Sequence, residues 1–488
     1  VSMGATTMDP AHEYEWDAEM MLHSVYPTLV TSDYADESKI LPCVASEWVI
    51  SDDGLTYTFT LNQGIKFTTG KELKASDVAF SLNRLKGAAG NPSFLLSSVE
   101  SVEATGDYEV TVTLSEPNPA LLNILTRASA GVYDAEVAQA NGATCDSSDA
   151  GQAYFDTTSI GCGPYKISSF NSGSELVLVK NPDSYFPAGN VDTYIIRNIA
   201  DSATQQMELE GGDLDFALDL TADQTALLEG NENIKLVSFD TMDIFFLGLN
   251  ASEEYGKELA NPTVREAIRY AIDYPGLCAL AGNGATTPAG IIPKGFLGYA
   301  GETTITRDVE KAKALLTEAG YPDGITFSMG VIPDMAPDGV SFMTLAQKVQ
   351  ADLAEAGITV NIEPQEVAVY LEGYRDGKQQ SVMCHWGPDY NDSNNQLAFL
   401  PGNTVGLRLG WTAEMDPELA ELGQKASVET DSDKRAELFT EIQKQMDEKN
   451  APAVVLLQPG KTWAVSSRLK NLTVSAAFSF DFVSLDVQ

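Results

Sequence analysis

The chain has 488 residues, 43% of them hydrophobic and 20% charged, values that exclude an intrinsically disordered chain and exceed what one ordinary core accommodates. Its formal net charge of −40, from 30 basic and 70 acidic residues, disfavours nucleic acids and anionic membrane surfaces as partners. No apolar run approaches the roughly 18 residues that span a bilayer, so the charge indicates solubility or, as a second interpretation, attraction of amine-bearing ligands.

The start of the chain and its cysteines indicate where the protein works. No signal peptide is present and the chain starts abruptly at Val1, which is typical of a mature or trimmed product that has lost a signal or lipid anchor. Five cysteines without a CxxC motif fit neither a disulfide scaffold nor a zinc ribbon. Cys145 and Cys162 flank a polar stretch and are a candidate pair outside the cell, and the other cysteines are expected in the core.

The first clear elements are a strand and a helix. Residues 55–61 alternate with period two, which predicts a strand with one buried face formed by Leu55, Tyr57, Phe59 and Leu61. Ser76 is the expected N-cap of the helix that follows, which buries Val78, Leu82 and Leu85.

Strands and helices alternate through the second half of the chain. Asp308 is expected to cap a helix that ends at Gly320. The elements predicted after it are a strand at 325–332, a helix at 341–356, a strand at 358–362, a helix at 367–374, a strand at 381–386 and a buried strand at 453–457. This rhythm predicts a mostly parallel sheet, whose ligands collect beyond the carboxyl ends of its strands, here in the loop after Trp386.

An ordered series of motifs resembles one known family. The motifs are MDPA at 8–11, ASEWVISDDGLTYTF at 45–59, GIKF at 64–67, ASDVAFS at 75–81, GCGPY at 161–165, NPTVREAI at 261–268 and YPDG at 321–324. Together they resemble the peptide/nickel-type solute-binding proteins, extracellular solute-binding protein family 5, over nearly the whole chain.

The resemblance implies a fold class and a domain arrangement. The fold class is α/β, a two-lobed clamp like that of periplasmic binding proteins, with an extra α+β subdomain inserted in the first lobe. Lobe I is expected to combine residues 1–45, 156–249 and 463–488, with the inserted subdomain at 46–155 and lobe II at 250–462. Two crossover segments would form the hinge, and the ligand would be enclosed between the lobes.

The resemblance also implies a function. It predicts the extracytoplasmic binding component of an ABC importer, either periplasmic or lipid-anchored through a removed N-terminal segment. This component would capture an oligopeptide or another amino-acid-derived, amine-bearing ligand and deliver it to a membrane permease. It would act as a monomer, without catalysis, cofactor or metal. The alternatives are a nickel-chelate or polyamine binder of the same family, and a chaperone-like or signalling receptor on this scaffold.

The most informative stretch is the loop CHWGPDYNDSNN at residues 384–395. Aromatic rings can pack on the apolar parts of a small ligand while fixed polar groups orient it. The resemblance assigns Asp389 to the ligand's α-ammonium, and it places Trp386 and Tyr390 where nickel-binding members keep a Trp and a Tyr. His385 is expected as a hydrogen-bonding wall or as a nickel ligand. The alternative is a surface loop in which Trp386 plugs the core.

Four further residues are weaker candidates. Tyr14 and Trp16 follow the first motif and would supply an opposing wall, or else a helix start with one buried aromatic. Dipeptide binders use an Arg for the ligand carboxylate, and residues 331–337 contain none, so Arg408 is a possible substitute. Asn394 is a candidate contact, but its position and that of Asn395 depend on how the loop turns, since Ser393 stands before them where family members often have Pro.

Enzyme and metal motifs are poorly represented. Residues 467–470 match the Ser-x-x-Lys nucleophile motif but lack its usual partner motifs. Asp389 and Asp392 could imitate the carboxylate pair of a hydrolase, although there is no GxSxG elbow or P-loop. None of the three histidines lies in a zinc motif, so nickel capture by His385 or His12 is the remaining metal hypothesis.

Overall fold

The computed structural model describes residues 3–282, 284–475, 479–481 and 483–488. Helices and strands alternate along the chain. The helices are α1 Trp16–Leu22, α2 Ala75–Gly87, α3 Leu121–Ile124, α4 Ala135–Ala140, α5 Gln152–Phe155, α6 Ser202–Gly211, α7 Ala222–Leu227, α8 Glu253–Gly256, α9 Pro262–Ala271, α10 Tyr274–Ala281, α11 Val309–Glu318, α12 Phe342–Glu355, α13 Val367–Arg375, α14 Thr404–Arg408, α15 Pro417–Val428 and α16 Ser432–Glu448.

The strands are short and mostly antiparallel outside one central sheet. They are β1 Val30–Asp33, β2 Asp36–Pro42, β3 Ala45–Ile50, β4 Thr56–Leu61, β5 Val99–Gly106, β6 Glu109–Leu114, β7 Tyr165–Asn171, β8 Glu175–Lys180, β9 Thr193–Arg197, β10 Phe216–Ala217, β11 Ile234–Asp240, β12 Ile244–Leu249, β13 Ile325–Val331, β14 Ile358–Pro364, β15 Ser381–Trp386, β16 Ala453–Leu457, β17 Gly460–Ser466, β18 Leu469–Lys470, β19 Val474–Ser475, β20 Ser479–Phe480 and β21 Asp486–Val487.

The chain forms two compact units. The first comprises Val1–Leu220, Leu227–Val237 and Trp463–Gln488, and the second comprises Thr221–Ala226 and Ser238–Thr462. None of the described helices combines the length and apolar character that crossing a bilayer requires. The lobe and subdomain bounds expected from the sequence stay predictions.

The first unit contains a four-stranded antiparallel sheet in the order β3-β4-β6-β5, with α2 between β4 and β5 in sequence. The predicted alternation of β4 is confirmed for Tyr57, Phe59 and Leu61, which are buried, whereas Leu55 precedes the strand and is only partly buried. The predicted cap at Ser76 is wrong. Helix α2 already begins at Ala75, and the Asp77 carboxylate accepts the Lys74 backbone N–H at 3.0 Å. A first-turn carboxylate therefore satisfies this helix start in place of the serine hydroxyl.

The GCGPY motif of the first unit is a packing feature. A Cβ atom at Gly161 would lie 2.1 Å from the carbonyl oxygen of Val25, and one at Gly163 would lie 2.2 Å from that of Ser24. Such distances are far inside van der Waals contact, so only glycine lets these two backbone segments approach each other.

The second unit is built on a five-stranded sheet in the order β14-β13-β15-β12-β16. Strand β13 pairs in parallel with β14 and β15, whereas β12 pairs antiparallel with β15 and β16. The predicted mostly parallel sheet is therefore wrong in this respect: the sheet is mixed, because β12 is inserted against the direction of its neighbours. Its core includes Phe245 and Phe327 of the sheet and Ile268 and Leu345 of the covering helices.

The predicted elements of this unit are confirmed to within one or two residues. Asp308 caps α11 by accepting the N–H of Lys311 at 2.8 Å, and Gly320 after the helix has a φ of +93°. Strands β15 and β16 have the predicted bounds.

All five cysteines lie within the described ranges and are free thiols. The candidate pair of Cys145 and Cys162 is therefore not formed. Cys145 is exposed on a loop, whereas Cys162 is fully buried, and the thiol that interacts electrostatically with it is that of Cys43. Burial raises the pKa of the Cys43 thiol to about 12, so this thiol is unreactive at neutral pH.

Candidate functional site

One edge of the five-stranded sheet gathers the polar loops of the second unit. Strands β13, β14, β15 and β16 run in the same direction, so their carboxyl ends lie together with the amino end of the antiparallel β12. The loop that starts at Gly387 leaves β15 at this edge. Loops at the carboxyl ends of strands are the usual ligand-binding positions in α/β sheets.

A chain of hydrogen bonds fixes the Asp389 carboxylate in this loop. Trp386 Nε1 donates to Asn395 Oδ1 at 2.8 Å, and Asn395 Nδ2 donates to Asp389 Oδ2 at 2.9 Å. Because an indole N–H can only donate, it determines which end of the Asn395 amide points at Asp389. The sequence left the role of Asn395 in doubt and favoured Asn394 as the candidate contact.

The rings of the loop combine packing with polar groups. Trp386 packs edge-on against Phe399 with ring centroids 5.7 Å apart, so it supports the core as well as orienting Asn395. Tyr390 is partly buried, and burial raises the pKa of its phenol above the ordinary value, with Asp392 and Asp389 adding to the effect. The phenol therefore stays protonated at neutral pH, and its O–H can donate a hydrogen bond.

The second aspartate of the loop, Asp392, forms a structural ion pair. Arg435 of α16 forms a bidentate ion pair with Asp392, whose side chain is only 8% exposed. The same guanidinium donates to Asn394 Oδ1 at 2.7 Å, and Asn394 Nδ2 donates to the carbonyl of Ser427 at 3.0 Å. An arginine distant in sequence thus buries Asp392, although its place in a polar loop would suggest an exposed carboxylate. The structure brings Asp389, Trp386 and Asn395 together, whereas Asn394 is hydrogen-bonded to Arg435 and Ser427.

His385 lies on the other face of β15 from Trp386, since successive strand residues alternate. Its ring is packed between Phe245 and Phe342, with centroid distances of 5.8 and 5.9 Å. Burial lowers the pKa of His385, and the nearby Asp338 carboxylate only partly opposes this. His385 is thus a neutral, packed imidazole at neutral pH.

Arg408 is engaged at a different position of the second unit. Its guanidinium lies 5.2 Å from the ring centroid of Tyr374 in α13, and its charge acts on the buried thiol of Cys384. Its assignment as a substitute for the carboxylate-binding arginine stays a prediction.

In the first unit, Tyr14 and Trp16 flank the start of α1. Tyr14 contacts Phe94 edge-on at 5.8 Å, and Trp16 is 42% exposed. The Glu13 carboxylate holds this segment by accepting the backbone N–H groups of Thr7, Tyr14 and Glu15 at 3.1, 2.8 and 2.6 Å. Phe94, which the sequence did not single out, is 47% exposed and extends this aromatic surface.

A histidine and two carboxylates of the first unit could in principle hold a metal. Asp9, His12 and Asp149 place one ligand atom each within 4.8 Å of one another. However, Arg84 already donates to both carboxylates, and His12 Nε2 lies 2.9 Å from Asp149 Oδ2. The guanidinium neutralises the charge that would attract a cation, so this group fits an ion-pair network better than a metal centre.

Comparisons with known proteins bear on the whole chain. The family model described as "Bacterial extracellular solute-binding proteins, family 5 Middle" matches residues 39–406. The glutathione-binding protein GsiB of Salmonella paratyphi A is 27% identical, covering 99% of this chain and 93% of that protein.

Two solved structures are similar over the full length. HbpA2 from Haemophilus parasuis has a TM-score of 0.85 at 25% identity, covering 100% of this chain and 98% of that one. The periplasmic binding protein DppA from Helicobacter pylori, in complex with the peptide STSA, has a TM-score of 0.80 at 25% identity, covering 100% and 96%. The predicted α/β fold class of two-lobed binding proteins is confirmed by this likeness.

Proposed function

The chain belongs to the bacterial extracellular solute-binding proteins of family 5, and we propose that it captures a small peptide or a related ligand with a free α-ammonium group. The family membership makes it the extracytoplasmic solute-binding component of an ABC importer. The observation that carries the choice of ligand is the Asp389 carboxylate, which Asn395 and Trp386 hold in a fixed orientation.

The geometry of Asp389 suits an ammonium group. A carboxylate only accepts hydrogen bonds, and an ammonium only donates them, so the pair is complementary and charge-assisted. Asn395 occupies one side of Oδ2 and orients the group before the ligand arrives. Such preorganisation reduces the entropy that binding must otherwise cost.

The relatives support the same ligand class. GsiB is a glutathione-binding protein, and DppA was solved in complex with the peptide STSA. Both are amino-acid-derived molecules with a free α-ammonium. The net charge of −40 adds a long-range attraction for cationic groups, which raises the rate of encounter at low salt.

The remaining parts of the proposal concern partners and chemistry. We propose that the protein acts as a monomer, binds without catalysis and hands its ligand to a membrane permease, with attachment through a lipid anchor as an additional hypothesis. Incubation with peptides followed by mass spectrometry tests the absence of catalysis, since any turnover would contradict it.

A thermal-shift panel is expected to identify the ligand class. Glutathione and the peptide Ser-Thr-Ser-Ala should raise the unfolding midpoint, because a ligand that binds only the folded form stabilises it by about 2.7 kcal/mol at a hundredfold excess over Kd. The matched control is the N-acetylated form of the same peptide, which lacks the ammonium and should give little shift.

The rest of the panel separates the alternatives. Spermidine, a nickel–histidine complex and maltotriose represent polyamine, metal-chelate and oligosaccharide ligands. An equal shift with the acetylated peptide, or a shift with maltotriose alone, would show that the ammonium is not what the protein recognises.

A further inference from the structure

A partly buried pair of carboxyl groups lies beside the Asp389 loop at the same edge of the sheet. Asp243 immediately precedes β12, and Asp338 lies in the short 3-10 turn Pro337–Gly339 before α12. The two side chains are in hydrogen-bonding contact with each other. Lys461 of β17 forms an ion pair with Asp338 at 3.2 Å, where Asp338 is 10% exposed and Lys461 is 15% exposed.

The hydrogen bonding of Asp338 favours a proton between the two carboxyls. Its Oδ1 faces Lys461, whereas its Oδ2 is buried and accepts no hydrogen bond from any described N–H or O–H group. A buried acceptor without a donor is costly. A protonated Asp243 supplies the missing donor, since a carboxylic acid donates through its O–H.

The charges around the pair favour the same protonation state. Burial raises the pKa of Asp243 well above its ordinary value, and the negative charge of Asp338 raises it further, with Lys461 opposing. Burial also acts to raise the pKa of Asp338, but Lys461 and the hydrogen bond from Asp243 together lower it, and His385 would add to this effect only in its protonated form. The groups that face the pair are thus Lys461 from β17 and His385 from β15.

Asp243 also touches the ligand loop. A Cβ atom at Gly387 would lie 2.8 Å from Asp243 Oδ1, so the first residue after β15 is packed directly on this carboxyl. Asp389 follows two residues later. Asp338 has a positive φ of 51°, which is uncommon for a residue other than glycine.

We propose that Asp243 and Asp338 share one proton at neutral pH and that this pair, anchored by Lys461, positions the Gly387 turn that carries Asp389. The pair acts on the ligand through the loop, so Asp243 is a positioning residue. Its effect on binding rests on the proposed function, but the shared proton itself does not.

When the solution becomes alkaline, Asp243 releases its proton to solvent. Two carboxylates then face one lysine, and their repulsion displaces the Gly387 turn. The replacement Asp243→Asn keeps an N–H donor toward Asp338 and cannot ionise, so it imitates the protonated acid at every pH. The replacement Asp243→Ala removes the donor altogether.

The ligand-free protein tests the shared proton. In infrared difference spectra at neutral pH, the wild-type protein should show a carboxylic-acid C=O band that Asp243→Asn lacks. A group whose pKa is raised on folding stabilises the protein below its unfolded pKa and loses this contribution as the pH rises through the folded pKa. The unfolding midpoint of the wild type should therefore fall relative to that of Asp243→Asn as the pH rises above about 4, the ordinary pKa of an aspartate, until Asp243 has lost its proton in the folded protein.

Calorimetry with the peptide Ser-Thr-Ser-Ala tests the positioning role. At about pH 6, Asp243→Asn should bind within about threefold of the wild type, whereas Asp243→Ala should bind about tenfold or more weakly. Toward about pH 10 the wild type should lose affinity relative to Asp243→Asn. The peptide ammonium titrates near pH 8 in both measurements, so the ratio of the two Kd values isolates Asp243.

The outcomes distinguish the two proposals. If the infrared difference band is absent, the shared proton is overturned. If the ratio of the two Kd values does not depend on pH, the positioning role of Asp243 is overturned. If the peptide binds neither protein while the infrared band is present, the proposed ligand class and the effect on binding fail, and the shared proton stands.

Discussion

Replacing Asp389 by asparagine should weaken binding of the peptide Ser-Thr-Ser-Ala by about 30-fold to several thousand-fold, or roughly 2–5 kcal/mol. Asparagine keeps the shape of the side chain and can still face Asn395, so the loop is expected to fold normally. What the variant loses is the charge that the ligand ammonium requires. The measurement is isothermal titration calorimetry of both proteins at neutral pH and fixed salt.

The matched control removes one charge from the same edge of the sheet. Glu363 is the exposed penultimate residue of strand β14. The carboxyl end of this strand lies at the same edge of the sheet as that of β15. Glu363→Gln should change the Kd by less than about threefold, because a solvated charge interacts weakly with a separate site. Equal losses in both variants would mean that general electrostatic attraction, and not Asp389, binds the ammonium.

Asp392 is unsuitable as the control for this experiment, although its place in the loop suggests it. Its carboxylate is buried against Arg435, so Asp392→Asn would disturb the fold of the loop as well as its charge. From the sequence alone the two aspartates look alike. Only the position of α16, which carries Arg435, separates a structural carboxylate from a candidate binding one.

The elements of the second unit could be predicted because their signals are local. Asp308 and Gly320 mark the two ends of one helix, and the apolar run of β15 ends where a Gly-Pro pair begins. The order and direction of the strands carry no such local signal. The antiparallel insertion of β12 beside β15 was therefore missed, although both strands were within reach of pattern analysis.

The motifs that identify the family are largely structural. Arg265 of the NPTVREAI motif is buried and donates to the carbonyl oxygens of Asn450 and Leu259 at 2.6 and 2.9 Å. Burial lowers its pKa to about 10, so it remains charged at neutral pH. Such residues fix the fold and say little about the ligand, which explains why family and fold followed from the sequence while the site did not.

The acid pair of Asp243 and Asp338 could not be predicted for a related reason. Asp243, Asp338 and Lys461 come from three distant parts of the chain and lie next to one another only in the folded protein. The role of Asn395 stayed in doubt from the sequence because it depends on the orientation of the Trp386 indole. Sequence patterns identify the loop, whereas the tertiary structure decides which of its polar groups are available.

Replacing Arg84 by methionine should lower the free energy of unfolding by about 3–5 kcal/mol, because it leaves two buried carboxylates without their cation. The Arg84 side chain is fully buried and donates to Asp9 at 2.8 and 2.5 Å and to Asp149 at 2.8 and 2.9 Å. Methionine keeps an unbranched apolar stem and lacks the guanidinium, whose Cζ lies 4.6 Å from the Phe155 ring centroid. Urea denaturation at neutral pH measures the loss.

The matched control is Arg468→Met, which breaks an exposed ion pair with Asp215 and should lower the free energy of unfolding by less than about 1 kcal/mol.

Acid provides a second test of the Arg84 network. Burial acts to raise the pKa of Asp149, but the hydrogen bonds from Arg84 and His12 lower it to about 2. A carboxyl with a depressed pKa stabilises the folded state above its unfolded pKa of about 3.9 and loses this contribution as the pH falls toward the folded value. The free energy of unfolding of the wild type should therefore fall faster than that of Arg84→Met between about pH 4 and pH 2. The difference in free energy of unfolding between the two proteins should narrow over this interval. A difference that stays constant over this interval would mean that Arg84 contributes through packing, and that its charge is not what holds Asp9 and Asp149 in the core.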